Sequence, residues 1–209
     1  MWAMRSLYKW SWLFLNLLLK TLFGFRVQGQ EMVPTDGAVI VASNHISLLD
    51  PPVVGAAIPR EAHFLAKKEL FENRLLSWVI KTYNTVPVSR GRPDRAALRR
   101  IAELLRQGQA VLLFPEGTRG PGDTLLSGKL GVGKLAVEGQ VPIVPAYIFA
   151  SNSLRQTLFR KRRLTVSFGS PISRSWIGTL GRDKSAYRRV VQEVMQRIGA
   201  LQHSQGTKS

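Results

Sequence analysis

The sequence predicts a single α/β domain with a mostly parallel or mixed central sheet flanked by helices, preceded by one apolar helix that associates with a membrane. Three observations lead there. From Gln30 onward, short β-branched apolar runs alternate with stretches of helical periodicity, the pattern that strand and helix units leave in a sequence. The chain has 209 residues, 44% of them hydrophobic, enough for one full core and too little for two. Its N-terminal stretch is the most apolar part, yet the uncharged run between Lys9 and Lys20 is about half of what a bilayer core demands.

Taken in order, the first helix carries Arg5, Lys9, Asn16 and Lys20 on one stripe at about 100° per residue. Trp2, Tyr8, Trp10 and Trp12 gather at its N-terminal end, so it reads as a helix lying in the membrane interface or half inserted, with aromatics at headgroup depth, and a core helix of a soluble domain is the competing reading. No small-residue cleavage site follows at 20–23, which argues against a removed signal peptide. Strands are expected at 38–43, 63–67, 85–88, 110–114, 142–149 and 164–168, and helices at 69–83, 93–107, 130–138 and 183–201. In the second of these helices Ala97, Ile101, Leu104 and Leu105 form the apolar face. The domain boundaries that follow are 1–28 for the membrane-associating helix, 29–201 for the α/β domain and 202–209 for a disordered tail.

Composition narrows the function. Lys and Arg number 30 against 13 Asp and Glu, a formal charge of +17, which calls for an anionic partner: nucleic acid, an anionic membrane, or acidic substrates and carriers. No nucleic-acid fold motif is present, and no basic stripe interleaved with aromatics occurs outside the first helix, so nucleic acid is not expected. With no cysteine there is no thiolate nucleophile, disulfide, iron–sulfur cluster or cysteine zinc site. Three histidines without HExxH spacing give no reason to expect a metal or other cofactor. Residues 128–134 match the GxxxxGK spacing of a phosphate loop, but Leu135 replaces the required Ser or Thr and no strand runs into the first glycine.

Of the histidines, His203 sits in the polar tail and His63 opens a strand, whereas His45 directly follows the apolar run 38–43. Five residues on, Asp50 precedes Pro51 and Pro52 and suits a helix N-cap. If the carboxylate accepts from one ring nitrogen, the other is left to take a proton from a hydroxyl, a function worth roughly a hundred- to ten-thousand-fold in rate. Read alone, a His and an Asp five apart is a weak signal that chance often produces, and the competing reading is a helix cap and a backbone contact. No Gly-x-Ser-x-Gly elbow exists, so direct attack by a substrate hydroxyl fits better than covalent catalysis.

A second polar loop closes the run 110–114. Pro115 is followed by Glu116, Gly117, Thr118 and Arg119, in which glycine lets backbone approach a ligand and the guanidinium suits a phosphate. A turn with a surface ion pair is the competing reading. Arg90 ends another apolar strand, and Lys129 stands as an anion contact at a helix start. Neighbouring parallel strands would bring these loops to one sheet edge, where α/β folds bind ligands.

Together and in this order the motifs resemble the 1-acylglycerol-3-phosphate acyltransferase family of membrane-associated glycerolipid acyltransferases. NHISLLD at 44–50 is similar to the family's NHxxxxD block, VPVSRGR at 86–92 to its second block, FPEGTRG at 114–120 to its third and VPIVPAYI at 141–148 to its fourth. FLAKKELF at 64–71, Lys129 with Gly131, and VSFGSPI at 166–172 also resemble family sequence, so the likeness spans 29–172. Ser89 departs from it, standing where an aspartate or similar residue often precedes the block arginine.

The resemblance implies transfer of an acyl group from acyl-CoA or acyl carrier protein to a lysophosphatidic acid or similar lysolipid acceptor, giving phosphatidic acid. It implies His45 as general base oriented by Asp50, with Arg90, Glu116, Gly117, Thr118, Arg119 and Lys129 binding the acceptor and its phosphate. It also implies attachment to an anionic membrane, and the charge directs that attachment to the cytoplasmic face. Glycerol 3-phosphate, another lysophospholipid and a lyso-aminolipid are the alternative acceptors.

Overall fold

In the computed structural model, which describes residues 6–72, 84–89, 94–122, 124–159 and 162–206, the apolar runs form one sheet. Its strands are β1 (Arg26–Gln28), β2 (Val39–Ser43), β3 (Ala62–Lys67), β4 (Thr85–Val88), β5 (Ala110–Leu113), β6 (Ile143–Phe149) and β7 (Thr165–Phe168). They lie in the order β1-β7-β6-β2-β5-β3-β4. Every neighbouring pair is parallel except β6 with β7. The sheet is therefore mixed, and β2, β5 and β6 all end at the same edge.

β2 and β5 sit mid-sheet and are buried along their whole length, which is why they read as unbroken apolar runs. Alternate side chains enter two cores: Ile40 and Ala42 on one face, Val39 and Val41 on the other.

The helices are α1 (Ser6–Phe23), α2 (Asp50–Ala57), α3 (Arg95–Arg106), α4 (Leu130–Gly139), α5 (Leu154–Leu158), α6 (Arg174–Gly178) and α7 (Lys184–Gly206). α3, α4 and α7 cover one face through Ile101, Leu105, Val132, Ala136, Val190 and Val194. α2 and Leu19 of α1 cover the other. Asp94 caps α3, accepting from Ala97 N at 2.9 Å.

The apparent phosphate loop has a packing explanation. A Cβ at Gly133 would lie 2.2 Å from Tyr187 O, and one at Gly128 2.5 Å from Val191 Cγ1, so these glycines let the chain approach α7 closely. Leu135 is buried in that core.

The structure differs from these expectations in several places. β1 was not foreseen, because a three-residue edge strand carries too little alternation to read, and it brings the sheet's first residues ahead of 29. The tail expected to be disordered from 202 is helical through Gly206, held where Gln205 Nε2 donates to Gln28 Oε1 (2.8 Å) and Ser167 Oγ (2.9 Å). α5 and α6 are too short for a helical period to show. Of the helix expected at 69–83, Lys68–Phe71 is a 3₁₀ turn and 73–83 lies outside the described residues.

α1 is amphipathic in the inverse sense. Tyr8, Trp12, Asn16 and Leu19, spaced four, four and three apart, face the body. Trp12 Nε1 donates to Ile58 O at 3.1 Å, Asn16 Nδ2 to Ala56 O at 2.9 Å, and Ala62 N donates to Tyr8 Oη at 3.4 Å. The opposite face exposes Leu7, Trp10 (69%), Leu13, Phe14 (67%), Leu17, Leu18 and Leu22. The expected aromatic cluster thus divides: Tyr8 and Trp12 dock the helix and Trp10 points outward, while Trp2 lies outside the described residues. Among the described residues no helix is long and apolar enough to cross a membrane.

Candidate active site

The site forms where β2, β5 and β6 end. Beyond Ser43 the chain leaves the sheet at Asn44, whose side chain substitutes for a strand residue: Nδ2 donates to Ile148 O (3.1 Å) and Oδ1 accepts from Ile148 N (2.7 Å). This fastens the loop start to β6 and fixes the direction in which His45 departs.

His45 is 4% exposed and Asp50 is fully buried. The ring nitrogen Nδ1 lies 2.7 Å from Asp50 Oδ2, which also accepts from Ile46 N (2.6 Å) and Ser47 N (2.7 Å). Asp50 Oδ1 accepts from Ser151 Oγ at 2.5 Å. With two amides already donating to it, Oδ2 is an acceptor, so Nδ1 donates to it and Nε2 is the ring nitrogen left for another partner. Nε2 makes no hydrogen bond to another described residue, and every fully buried side-chain polar atom among them has a partner, so Nε2 is reached from outside. The ring is held from behind by Phe114, stacked at 4.2 Å between centroids and 21° between planes.

Asp50 does not cap α2 as the sequence suggested. Leu49 is the N-cap and Asp50 the first helical residue, with its carboxylate turned back onto the loop that precedes it. The two prolines still start the helix, since neither needs to donate there.

The loop after β5 clasps His45 along its backbone. His45 N donates to Glu116 Oε1 (3.1 Å) and His45 O accepts from Gly120 N (2.7 Å). Glu116 is 1% exposed, and its other oxygen accepts from Leu126 N (3.0 Å). Burial pushes its carboxyl above the ordinary glutamate range, against the two amide hydrogen bonds and His45, which pull it down.

Gly117 adopts φ 69°, and a Cβ there would meet Lys129 Cγ at 3.3 Å, so a side chain at 117 would be strained and would crowd the lysine. Lys129 N in turn donates to Pro115 O at 2.7 Å. Thr118, Arg119 and Lys129 are exposed around the His45 loop.

The fold therefore brings His45, Asp50, Glu116, Gly117, Thr118, Arg119 and Lys129 to one edge. Arg90 lies outside the described residues. Sequence reasoning missed Ser151 and Asn44. Asn44 was visible beside His45, but its role needs β6 as neighbour. Ser151 follows Ala150, which is buried with φ 65°, an unusual conformation for a residue with a side chain; that turn swings the hydroxyl back onto Asp50 from far along the chain.

Comparison with known proteins agrees with this architecture. The profile of the family described as Acyltransferase matches residues 24–149. A 1-acyl-sn-glycerol-3-phosphate acyltransferase of Bacillus subtilis (strain 168) is 30% identical over 198 residues, 94% of this chain and 98% of that one. A lyso-ornithine lipid O-acyltransferase of Pseudomonas aeruginosa is 33% identical over 66% of this chain and 52% of its own. Among solved structures, the 1-acyl-sn-glycerophosphate acyltransferase PlsC of Thermotoga maritima superposes with a TM-score of 0.70 and 28% identity, covering 95% of this chain and 84% of that one.

The chain belongs to the acyltransferase family. It is an enzyme, and within that class its relatives place it with the 1-acyl-sn-glycerol-3-phosphate acyltransferases of phospholipid biosynthesis.

Proposed function

We propose that the protein transfers a fatty acyl group from a thioester, acyl-CoA or acyl carrier protein, to the free hydroxyl of 1-acylglycerol 3-phosphate, giving phosphatidic acid. The observation that carries this reading is the buried Asp50 carboxylate. Its four accepted hydrogen bonds hold the His45 ring with Nε2 outward.

Nε2 takes the acceptor hydroxyl proton as the oxygen attacks the thioester carbonyl. The tetrahedral intermediate then collapses, the C–S bond breaks, and the imidazolium returns the proton to the departing thiolate. Asp50 keeps the tautomer and stabilises the transient imidazolium.

The loop residues divide the remaining work. Arg119 and Lys129, exposed beside His45, hold the acceptor phosphate, the guanidinium by a charge-assisted pair of hydrogen bonds. Arg90 joins them as the resemblance implies. Thr118 offers a hydroxyl to the same headgroup, and Gly117 keeps the space beside Lys129 open. Glu116 acts from underneath: both oxygens grip backbone amides, so its part in acceptor binding is to set the loop that carries Arg119.

The outer face of α1 lies in the cytoplasmic leaflet of the membrane. Seven large apolar side chains on one helical face form a patch that water disfavours and lipid accepts. The helix thereby brings the edge bearing His45 to where acyl chains are.

The test is product identification. Purified protein on lipid vesicles is offered lysophosphatidic acid, glycerol 3-phosphate, lysophosphatidylcholine and lyso-ornithine lipid, each with acyl-CoA and with acyl carrier protein. Phosphatidic acid from lysophosphatidic acid is the expected product. Acylation of lyso-ornithine lipid alone would move the chain beside its Pseudomonas relative and overturn the acceptor assignment.

A further inference from the structure

We infer that the protein holds a second anionic lipid, separate from the acceptor, at a cationic pocket beside the C-terminal end of α1. This rests on the proposed membrane attachment of α1. The pocket has a volume of about 340 Å³, and Lys20, Arg26, Arg162 and Arg163 line it together with Phe23. Among the described residues no acidic side chain lines it, and none of the four cations forms an ion pair with a described carboxylate. Arg162 stacks over the Phe149 ring, its guanidinium carbon 4.7 Å from the centroid, which holds that cation in a set direction.

Four like charges around one cavity repel each other, and a folded chain gains nothing from the arrangement unless an anion enters. The carbonyl end of α1 supplies only about half an elementary charge of compensation. Nearby side chains say which anion: Leu18 and Leu22 of α1, with Leu158 and Phe159 of the segment that packs against it, are exposed apolar residues. A cationic cavity at the rim of an apolar face sits at headgroup depth when that face is in lipid. The occupant it fits is a bilayer phospholipid with a net negative headgroup.

The pocket is not the acceptor's phosphate site. Arg26 and Thr165 pair at the start of β1 and β7, and Thr165 pairs with Phe149 at the end of β6, so the pocket opens on the same edge as His45. In the sheet order β1-β7-β6-β2, β7 is two strand widths from β2 and β1 is three, about 10 and 14 Å. The four bonds from the attacking oxygen of a glycerol phosphate to its phosphorus span at most about 5 Å. A lipid held in this pocket therefore neighbours the reacting one and fixes the active edge against the bilayer.

The experiment is flotation of the full-length protein with phosphatidylcholine vesicles, with and without phosphatidylglycerol. Wild type is compared with the double variant Arg162→Gln/Arg163→Gln and with Arg99→Gln/Arg100→Gln. The second pair is exposed on α3, which packs on the opposite face of the sheet from α1. The expected result is a roughly thirtyfold weaker partition of the first variant onto anionic vesicles, an unchanged partition onto neutral ones, and less than threefold for the second. Equal wild-type binding to both vesicle types overturns the pocket and leaves the membrane reading standing. Equal losses in both variants also overturn it, assigning the preference to overall charge. Loss of affinity for acyl-CoA in the first variant with unchanged flotation assigns the cations to the donor instead. No vesicle binding at all removes the membrane reading, and the pocket with it.

Discussion

The loop from His45 to Asp50 and the helix Ser6–Phe23 invert the ordinary partition of residues in opposite directions. Around that loop His45, Asp50, Ser151 and Glu116 are buried together and hydrogen-bonded: Asp50 alone accepts from a ring, two amides and Ser151. In α1 an asparagine is buried while tryptophan, phenylalanine and leucines face outward. The first inversion is stable because hydrogen bonds replace water at the fully buried side-chain polar atoms of the described residues. The second is compensated only when something apolar covers the outer face. The difference separates polar groups satisfied within the chain from an apolar surface left facing outward.

Substituting the outer face of α1 tests that separation most strongly. Trp10→Ser, Phe14→Ser and Leu17→Ser combined are expected to lower the vesicle partition constant by about a thousandfold, at roughly 1.5 kcal/mol of lost apolar burial each. Because these side chains touch solvent in the free protein, the melting temperature should hardly move. A large fall in melting temperature would show that the face packs on the protein.

Asp50→Asn acts on the other inversion. The amide nitrogen would face donors where an oxygen now accepts, and the ring would lose its charged partner, so kcat is expected to fall by about a hundredfold or more with vesicle binding intact. Ser151→Ala leaves Asp50 Oδ1 without its hydroxyl. The expected loss is about tenfold in kcat, in line with the 1–3 kcal/mol of an unmet buried group, with KM unchanged and most of the rate restored by Ser151→Thr.

Glu116→Gln gives the smallest effect, read as a pH dependence of stability. The folded-state pKa of Glu116 is raised, so its contribution is fully present below the unfolded value near ~4.3 and is lost as pH rises through the elevated one. The stability of wild type relative to Glu116→Gln should therefore increase as pH falls through the weakly acidic range. A difference that is flat with pH would mean that Glu116 is not desolvated as described.

Much of this was legible in the sequence. Strand runs such as VIVAS and AVLL announce buried parallel strands, and a histidine and aspartate following one of them mark the sheet edge. What could not be read depends on contacts between distant segments. Ser151 reaches Asp50 through a left-handed turn that no local residue type demands. Glu116 looked like a ligand-facing carboxylate because exposure and burial look alike in a polar loop, and its burial follows from Leu126 and His45 arriving on either side. The polar stripe of α1 gave its periodicity, but not that Asn16 would bond Ala56 and turn the apolar face outward.

The central claim is that His45 is the base and that Asp50 and Ser151 exist to hold it. It is tested most directly by measuring acyl transfer to lysophosphatidic acid on vesicles with wild type and His45→Ala at equal bound protein. The account predicts equal flotation and a hundred- to ten-thousand-fold lower rate of phosphatidic acid formation for the variant. Phosphatidic acid formed at the wild-type rate by His45→Ala would contradict it.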